Sequence, residues 1–129
     1  MANPISESMA KGTIGELLVQ TRLLQYGVQA AAPIKDSGND LIALKGDAIK
    51  TIQVKTCTNE FPRPLALPNK YHLVALVKLH GYGTELLLDQ TKVYLVPREK
   101  LADLRINREE DMGKFAISQA LVDALFVEP

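Results

Sequence analysis

The spacing of apolar positions changes several times along this chain, and each change marks an element. From Ser8 to Tyr26, Met9, Ile14, Leu17, Leu18 and Leu24 recur near three-to-four spacing, which predicts an amphipathic helix. Ser6 or Ser8 can cap its start, and Gly27 stands where a helix commonly ends on glycine. Val28 to Ala32 is a short apolar run closed by Pro33, and Lys35-Asp36-Ser37-Gly38-Asn39 is a turn cluster. Asp40 to Leu44 then reads as a strand, Lys45-Gly46-Asp47 as a tight turn, and the alternating, β-branched run Ala48 to Thr58 as the second strand of that hairpin.

Asn59 to Pro68 contains three prolines and reads as a loop. Tyr71 to Leu79 is almost continuously apolar, as expected of a strand buried on both faces. His80-Gly81-Tyr82-Gly83 turns the chain, and Glu85 to Asp89 and Lys92 to Val96 read as further strands. Arg98 to Arg105 predicts a short helix, Asn107 to Lys114 a charged connector, and Ser118 to Phe126 a closing helix capped by Ser118. The expectation is one α/β domain over residues 1–129, with a mixed sheet flanked by helices.

Composition narrows the class. A chain of 129 residues has room for one core and not for two. Tryptophan is absent and aromatic residues make up 5%, so aliphatic side chains must build that core. No apolar run approaches the roughly 20 residues of a membrane span, and the N-terminus lacks a charged-then-apolar leader. The lone cysteine, Cys57, excludes an internal disulfide framework, and these features together point to a cytoplasmic, reducing compartment. The formal net charge of zero argues against strong non-specific DNA binding by a monomer, because phosphate neutralisation supplies most of that affinity. A homodimer or higher homo-oligomer that assembles a groove is the expectation if nucleic acid is the partner.

Chemistry concentrates in the first half of the chain. Side chains alternate along a strand, so Gln53 and Lys55 share one face while Ile52 and Val54 take the other. A hairpin through Gly46 brings Asp40 level with the later part of the partner strand, where Gln53 and Lys55 lie. On the first helix, Glu16 shares a face with Gly12, Val19 and Leu23, so its carboxylate looks toward the sheet. Gly12 and Gly15 each cost about 1 kcal/mol against alanine in a helix, which points to close approach by another backbone or a ligand. Asp40 and Glu16 are hard oxygen ligands for Mg²⁺ or Mn²⁺, Gln53 offers a neutral carbonyl oxygen, and the Val54 main-chain carbonyl adds another. Such an ion would polarise a phosphate and acidify a water, and Lys55 would orient that water or stabilise phosphate charge.

Lys11-Gly12-x-x-Gly15-Glu16, Asp40-Leu41-Ile42 and Gln53-Val54-Lys55-Thr56 resemble, in order and placement, the motifs of the PD-(D/E)xK nuclease superfamily. The likeness is to its resolvase-like and group I intron-associated endonuclease branch. It implies a restriction-endonuclease-like αβββαβ core, Mg²⁺ dependence and hydrolysis of DNA phosphodiesters, with resolvase-like action on branched DNA as one form. By family role, Asp40 is the central metal ligand, Glu16 the helix acid, Gln53 the residue at the D/E position and Lys55 the catalytic lysine. Two departures stand out: Asn39 precedes Asp40 in place of proline, and Gln53 replaces an acid, as it does in the intron-endonuclease branch. Losing that negative charge weakens metal binding, so the alternative is a weak or inactive nuclease-fold module for nucleic-acid binding or assembly. RNA in place of DNA is a third reading, on which the sequence is silent.

Each residue alone has a plainer reading. Asp40 could only cap its turn, Gln53 and Lys55 could line a solvated face, and Glu16 could pair with Lys11 or Gln20. His72 and His80 read as structural, Cys57 as a packed thiol near the site, and Glu109-Glu110-Asp111 as solvated. Lys35, Arg63 and Lys70, on loops beside the presumed cleft, are candidate phosphate contacts.

Overall fold

In the computed structural model, residues 5–35, 40–62, 64–82 and 85–127 are described, Tyr82 by its backbone only. Helix α1 (Glu7–Gln25) starts at Ser6, whose Oγ accepts from the Met9 N–H at 3.1 Å, and is followed by Gly27 at φ 83°. Only glycine adopts that backbone conformation without strain, so the chain can reverse there into the sheet. Strand β1 (Gln29–Ala31) lies at the sheet's edge, followed by β2 (Leu41–Lys45) and β3 (Ala48–Cys57). β2 and β3 form the expected hairpin, paired from Leu41 opposite Ile52 to Lys45 opposite Ala48, with Gly46 at φ 59° in the turn.

The chain then crosses to β4 (Leu73–Lys78), which runs parallel to β3. The described residues of that crossover are irregular and form no helix, as the prolines require. A small hairpin, β5 (Gly81–Tyr82) and β6 (Glu85–Leu86), leads to β7 (Lys92–Pro97), antiparallel to β4. The main sheet has the order β1-β2-β3-β4-β7 and mixes parallel and antiparallel pairs. Three short helices complete the chain: α2 (Arg98–Leu101), α3 (Glu109–Met112) and α4 (Gln119–Leu125). Ser118 caps α4 by accepting from the Leu121 N–H at 3.1 Å.

Burial divides into two layers. On one face, Ile52, Val54, Ala75, Val77 and Leu95 pack under Val19 and Leu23 of α1 and Val122 of α4. On the other, Val74, Leu76, Tyr94 and Val96 pack against Phe61, Leu104, Ile106, Met112 and Phe115. β4 is therefore buried on both sides from Leu73 to Val77, as its unbroken apolar run predicts.

Several expectations shift at the margins. On α1, Met9, Leu17 and Leu24 remain exposed, and the stripe Gly15, Val19, Leu23 is the one that meets the sheet. Both stripes have helical spacing, and the sheet covers only one of them. β6 stops at Leu86, and Leu88–Gln90 form a 3₁₀ turn stitched by Thr91, whose hydroxyl donates to the Leu87 carbonyl at 2.9 Å. α2 ends at Leu101, short of the expected Arg105, because Leu104 and Ile106 must turn inward to the second layer. The presumed connector 107–114 is also structured: Asn107 ties both its amide groups to the Phe61 backbone at 2.8 and 3.0 Å, and Met112 and Phe115 are buried. Glu109 is not simply solvated, since it accepts from the Tyr94 hydroxyl at 3.2 Å and from Lys92 at 3.2 Å.

The two helix glycines differ sharply. A Cβ at Gly12 would meet nothing within 4 Å, whereas one at Gly15 would stand 1.8 Å from the Thr56 hydroxyl oxygen. The expected close approach is therefore real at Gly15 and comes from a side chain. Gly12→Ala is expected to stabilise the protein by about 0.5–1 kcal/mol through helix propensity. Gly15→Ala is expected to destabilise it by about 1–3 kcal/mol through overpacking. Urea titration of the two variants checks both signs.

Candidate active site

β3 outlasts its neighbour. β2 ends its pairing at Leu41 opposite Ile52, with the Asp40 N–H still donating to the Ile52 carbonyl at 3.2 Å, whereas β3 continues to Cys57. On its other edge β3 stays paired with β4 as far as Cys57 opposite Lys78. The sheet thus has a notch beside Val54. Its N–H has lost the strand carbonyl that would have received it, and an unpaired backbone group is costly.

Asp40 fills the notch. Its Oδ2 accepts from the Val54 N–H at 2.8 Å and from the Gln53 Nε2 at 2.9 Å. The carboxylate stands where the missing strand's carbonyl would be. The N–H and C=O of one strand residue leave by the same edge, so the Val54 carbonyl also faces the notch. Asp40 is therefore more than a turn cap, because two donors thirteen and fourteen residues away converge on it.

Gln53 and Lys55 occupy the face expected of them, register partners of Val74 and Leu76 in the second layer. A carboxylate can only accept, so Gln53 must turn its NH₂ group toward Asp40 and its Oε1 away. That oxygen is buried and has no hydrogen-bond partner among the described residues. A buried, unsatisfied acceptor costs about 1–3 kcal/mol, so this atom marks a place where a ligand would add stability.

Glu16 arrives from above the sheet. Its pKa is raised, first by burial, then by the negative charge of Asp40 and a hydrogen bond shared with that carboxyl group. It is not tied to Lys11, which pairs instead with Glu7 at 3.8 Å. Contacts thus join Glu16, Asp40 and Gln53, and strand alternation places Lys55 two residues beyond Gln53 on the same face. Lys35 and Lys70 are exposed on their loops, while Arg63, Gly38 and Asn39 lie outside the described residues.

The remaining candidates have structural roles. His72 Nδ1 accepts from the Thr51 N–H at 2.9 Å, locking the start of β4 to β3. The His80 backbone N–H donates to the Thr91 hydroxyl at 3.1 Å. Cys57 is half-buried against the second layer, and burial pushes its thiol up to about 11, so it is protonated and unreactive at neutral pH. Sequence reasoning gave no role to Thr56 beyond its place in the motif. The signal that could have found it is Gly15, a helix glycine in the stripe with Val19 and Leu23 that meets the sheet.

Among the described residues, no three His, Cys, Asp or Glu side chains gather in a way that could hold a metal ion. The group at the notch is instead two carboxylates, an amide oxygen without a partner and a main-chain carbonyl. These are all hard oxygen donors, the set suited to Mg²⁺ or Mn²⁺ and not to zinc.

No protein-family model matches this chain, and no curated protein matches it by sequence. Among solved structures, it is similar to a bacterial homing endonuclease, I-Ssp6803I, with a TM-score of 0.58 at 17% identity. The match covers 94% of this chain and 92% of that one, so the likeness extends over the whole domain. The mixed α/β architecture, with its five-stranded central sheet flanked by helices, is a nuclease-like fold.

Two outcomes test this geometry without any assay of function. Gln53→Glu removes the donor to Asp40 and adds a like charge, so it should destabilise the metal-free protein by about 1–3 kcal/mol near neutral pH. Calorimetric melting reads that loss. For Glu16 the folded pKa lies above the ordinary value of 4.5. Its contribution to stability is then full below that value and is lost as pH rises through the folded pKa. Glu16→Gln should accordingly melt higher than the wild type at pH 7 in a chelating buffer, with the gap closing toward pH 4.

Proposed function

We propose that this protein is a divalent-cation-dependent endonuclease acting on DNA, of the PD-(D/E)xK type with glutamine at the variable acid position. The observation that carries the reading is Asp40, held by Gln53 and the Val54 N–H and faced by Glu16, on a nuclease-like fold. The residues that would hold Mg²⁺ or Mn²⁺ are Asp40, Glu16, Gln53 through Oε1, and Val54 through its carbonyl. The ion, when bound, supplies polarisation of the scissile phosphate and a lowered pKa for the attacking water. Asp40 anchors the centre, because its second role in the sheet prevents it from swinging away. Glu16, repelled by Asp40, is stabilised in its charged form by any cation placed between them. Lys55 orients the water or neutralises charge developing on the phosphate.

The neutral chain favours a homodimer or higher homo-oligomer that presents paired sites to two strands, in a cytoplasmic setting. Resolvase-like action on branched DNA is one form of this activity. Lys35, Arg63 and Lys70 are proposed as phosphate contacts. A second reading has one observation in its favour. The Gln53 amide already satisfies Asp40 without a cation, as it would in a nuclease-fold module that binds or assembles without cutting.

Incubation with branched, duplex and single-stranded DNA, and with RNA, in Mg²⁺ or Mn²⁺ decides between them. Wild-type protein should cleave at least one DNA substrate, and Asp40→Ala and Lys55→Ala should each slow cleavage by about 100-fold or more. Cutting that survives both substitutions rules out this site. Absence of Mn²⁺ binding in a calorimetric titration, even at millimolar ion, favours the non-catalytic module.

A further inference from the structure

We infer that Thr56 is a positioning residue for the site, and that its contact with Gly15 sets where Glu16 stands relative to Asp40. The inference rests on the nuclease reading above and assigns a role to a residue that would not itself touch substrate or ion. Gly15 is buried in the sheet-facing stripe of α1, and the Thr56 hydroxyl oxygen occupies the space its Cβ would need, 1.8 Å away. The Thr56 Cβ and Cγ2 stand at 3.0 and 3.1 Å from the same point, so the whole side chain is seated on the bare helix backbone.

The location of this contact gives it a purpose. Gly15 immediately precedes Glu16 on α1, and Thr56 immediately follows Lys55 on β3. The seat is thus interposed between the helix acid and the strand that carries Gln53 and Lys55. Further along α1, Val19 and Leu23 hold the helix to the sheet by ordinary aliphatic packing, which tolerates small sliding. A side chain resting directly on a helix Cα leaves no such latitude. It sets the height of that helical turn above β3, and Glu16 is the next residue along it. Glu16 has to reach over the edge of β3 to meet Asp40 in the notch, so an error in helix height becomes an error in carboxylate separation. No hydrogen bond among the described residues uses the Thr56 hydroxyl, so its role is that of a spacer.

The test uses the full chain with Thr56→Ala, Thr56→Ser, Gly15→Ala and the double variant Gly15→Ala/Thr56→Ala. Each is read by thermal melting, by calorimetric Mn²⁺ titration without nucleic acid, and by kcat and KM on the substrate that the wild type cleaves. Thr56→Ala should melt cooperatively within about 4 °C of wild type. It should bind Mn²⁺ about tenfold more weakly, in the range seen when the supports of a metal ligand are removed. Its kcat should fall by a similar factor with KM little changed. Thr56→Ser keeps the seated oxygen and should return both values to within twofold of wild type. Gly15→Ala should lose stability, and the double variant should recover melting temperature without recovering Mn²⁺ affinity.

A Thr56→Ala protein that matches wild type in Mn²⁺ affinity and kcat overturns the inference. So does a double variant that recovers Mn²⁺ affinity together with stability, which would make the contact packing alone. A wild type that neither binds Mn²⁺ nor cleaves any nucleic acid overturns the nuclease reading and this inference with it. Failure confined to the variants leaves the nuclease reading in place.

Discussion

The structure turns on a carboxylate that ends a strand pairing. β2 begins one residue after Asp40, and Asp40 itself satisfies the Val54 N–H that a longer strand would have taken. Had β2 continued, a ladder of backbone hydrogen bonds would close the edge of β3 and leave no room for side chains. Because the pairing ends, groups from above, below and within the sheet can meet at a single edge. Glu16 descends from the helical layer, Gln53 belongs to the opposite face, and Asp40 lies between them. A sheet buried on both sides offers few other places where residues of its two faces can approach.

That arrangement stores electrostatic tension. Two carboxylates are held together in partial burial, and the pKa of Glu16 rises in consequence. Gln53 relieves part of the tension by donating to Asp40, at the expense of its own oxygen. An acid at that position could only have accepted, and would have added a third negative charge to a site without a counterion. The amide lets the metal-free fold form readily and leaves an oxygen in place for a ligand.

The rest of the architecture serves to hold β3 still. β4, apolar on both faces, anchors one edge and joins the two layers. α1 lies over β3 through Val19 and Leu23, and the Thr56 side chain rests on Gly15. The second layer is assembled from short pieces: the irregular crossover, the α2–α3 segment and a second 3₁₀ turn at Gly113–Phe115, with Asn107 tied to Phe61. Such pieces have little intrinsic helix propensity to direct them, and burial of Leu104, Ile106, Met112 and Phe115 gives them their shape.

Elements whose signals are local were legible in the amino-acid order. The caps at Ser6 and Ser118, the glycines at 27 and 46, the β2–β3 hairpin and the unbroken apolar run of β4 all depend on neighbours a few residues away. The same local rules placed Glu16, Asp40 and Gln53 within reach of one another, because helix and strand periods determine which residues share a face. The face of α1 with Val19 and Leu23 reads as the sheet side from its spacing with Glu16, and tertiary structure alone decided that Met9, Leu17 and Leu24, spaced as well, stay exposed. It also decided that residues 107–115 fold, that Glu109 pairs with Tyr94, and that Gly15 and Gly12 have opposite surroundings. The physical reason is the same in each case: hydrogen-bond geometry and periodicity act along the chain, whereas close packing depends on what another segment brings to the same point in space.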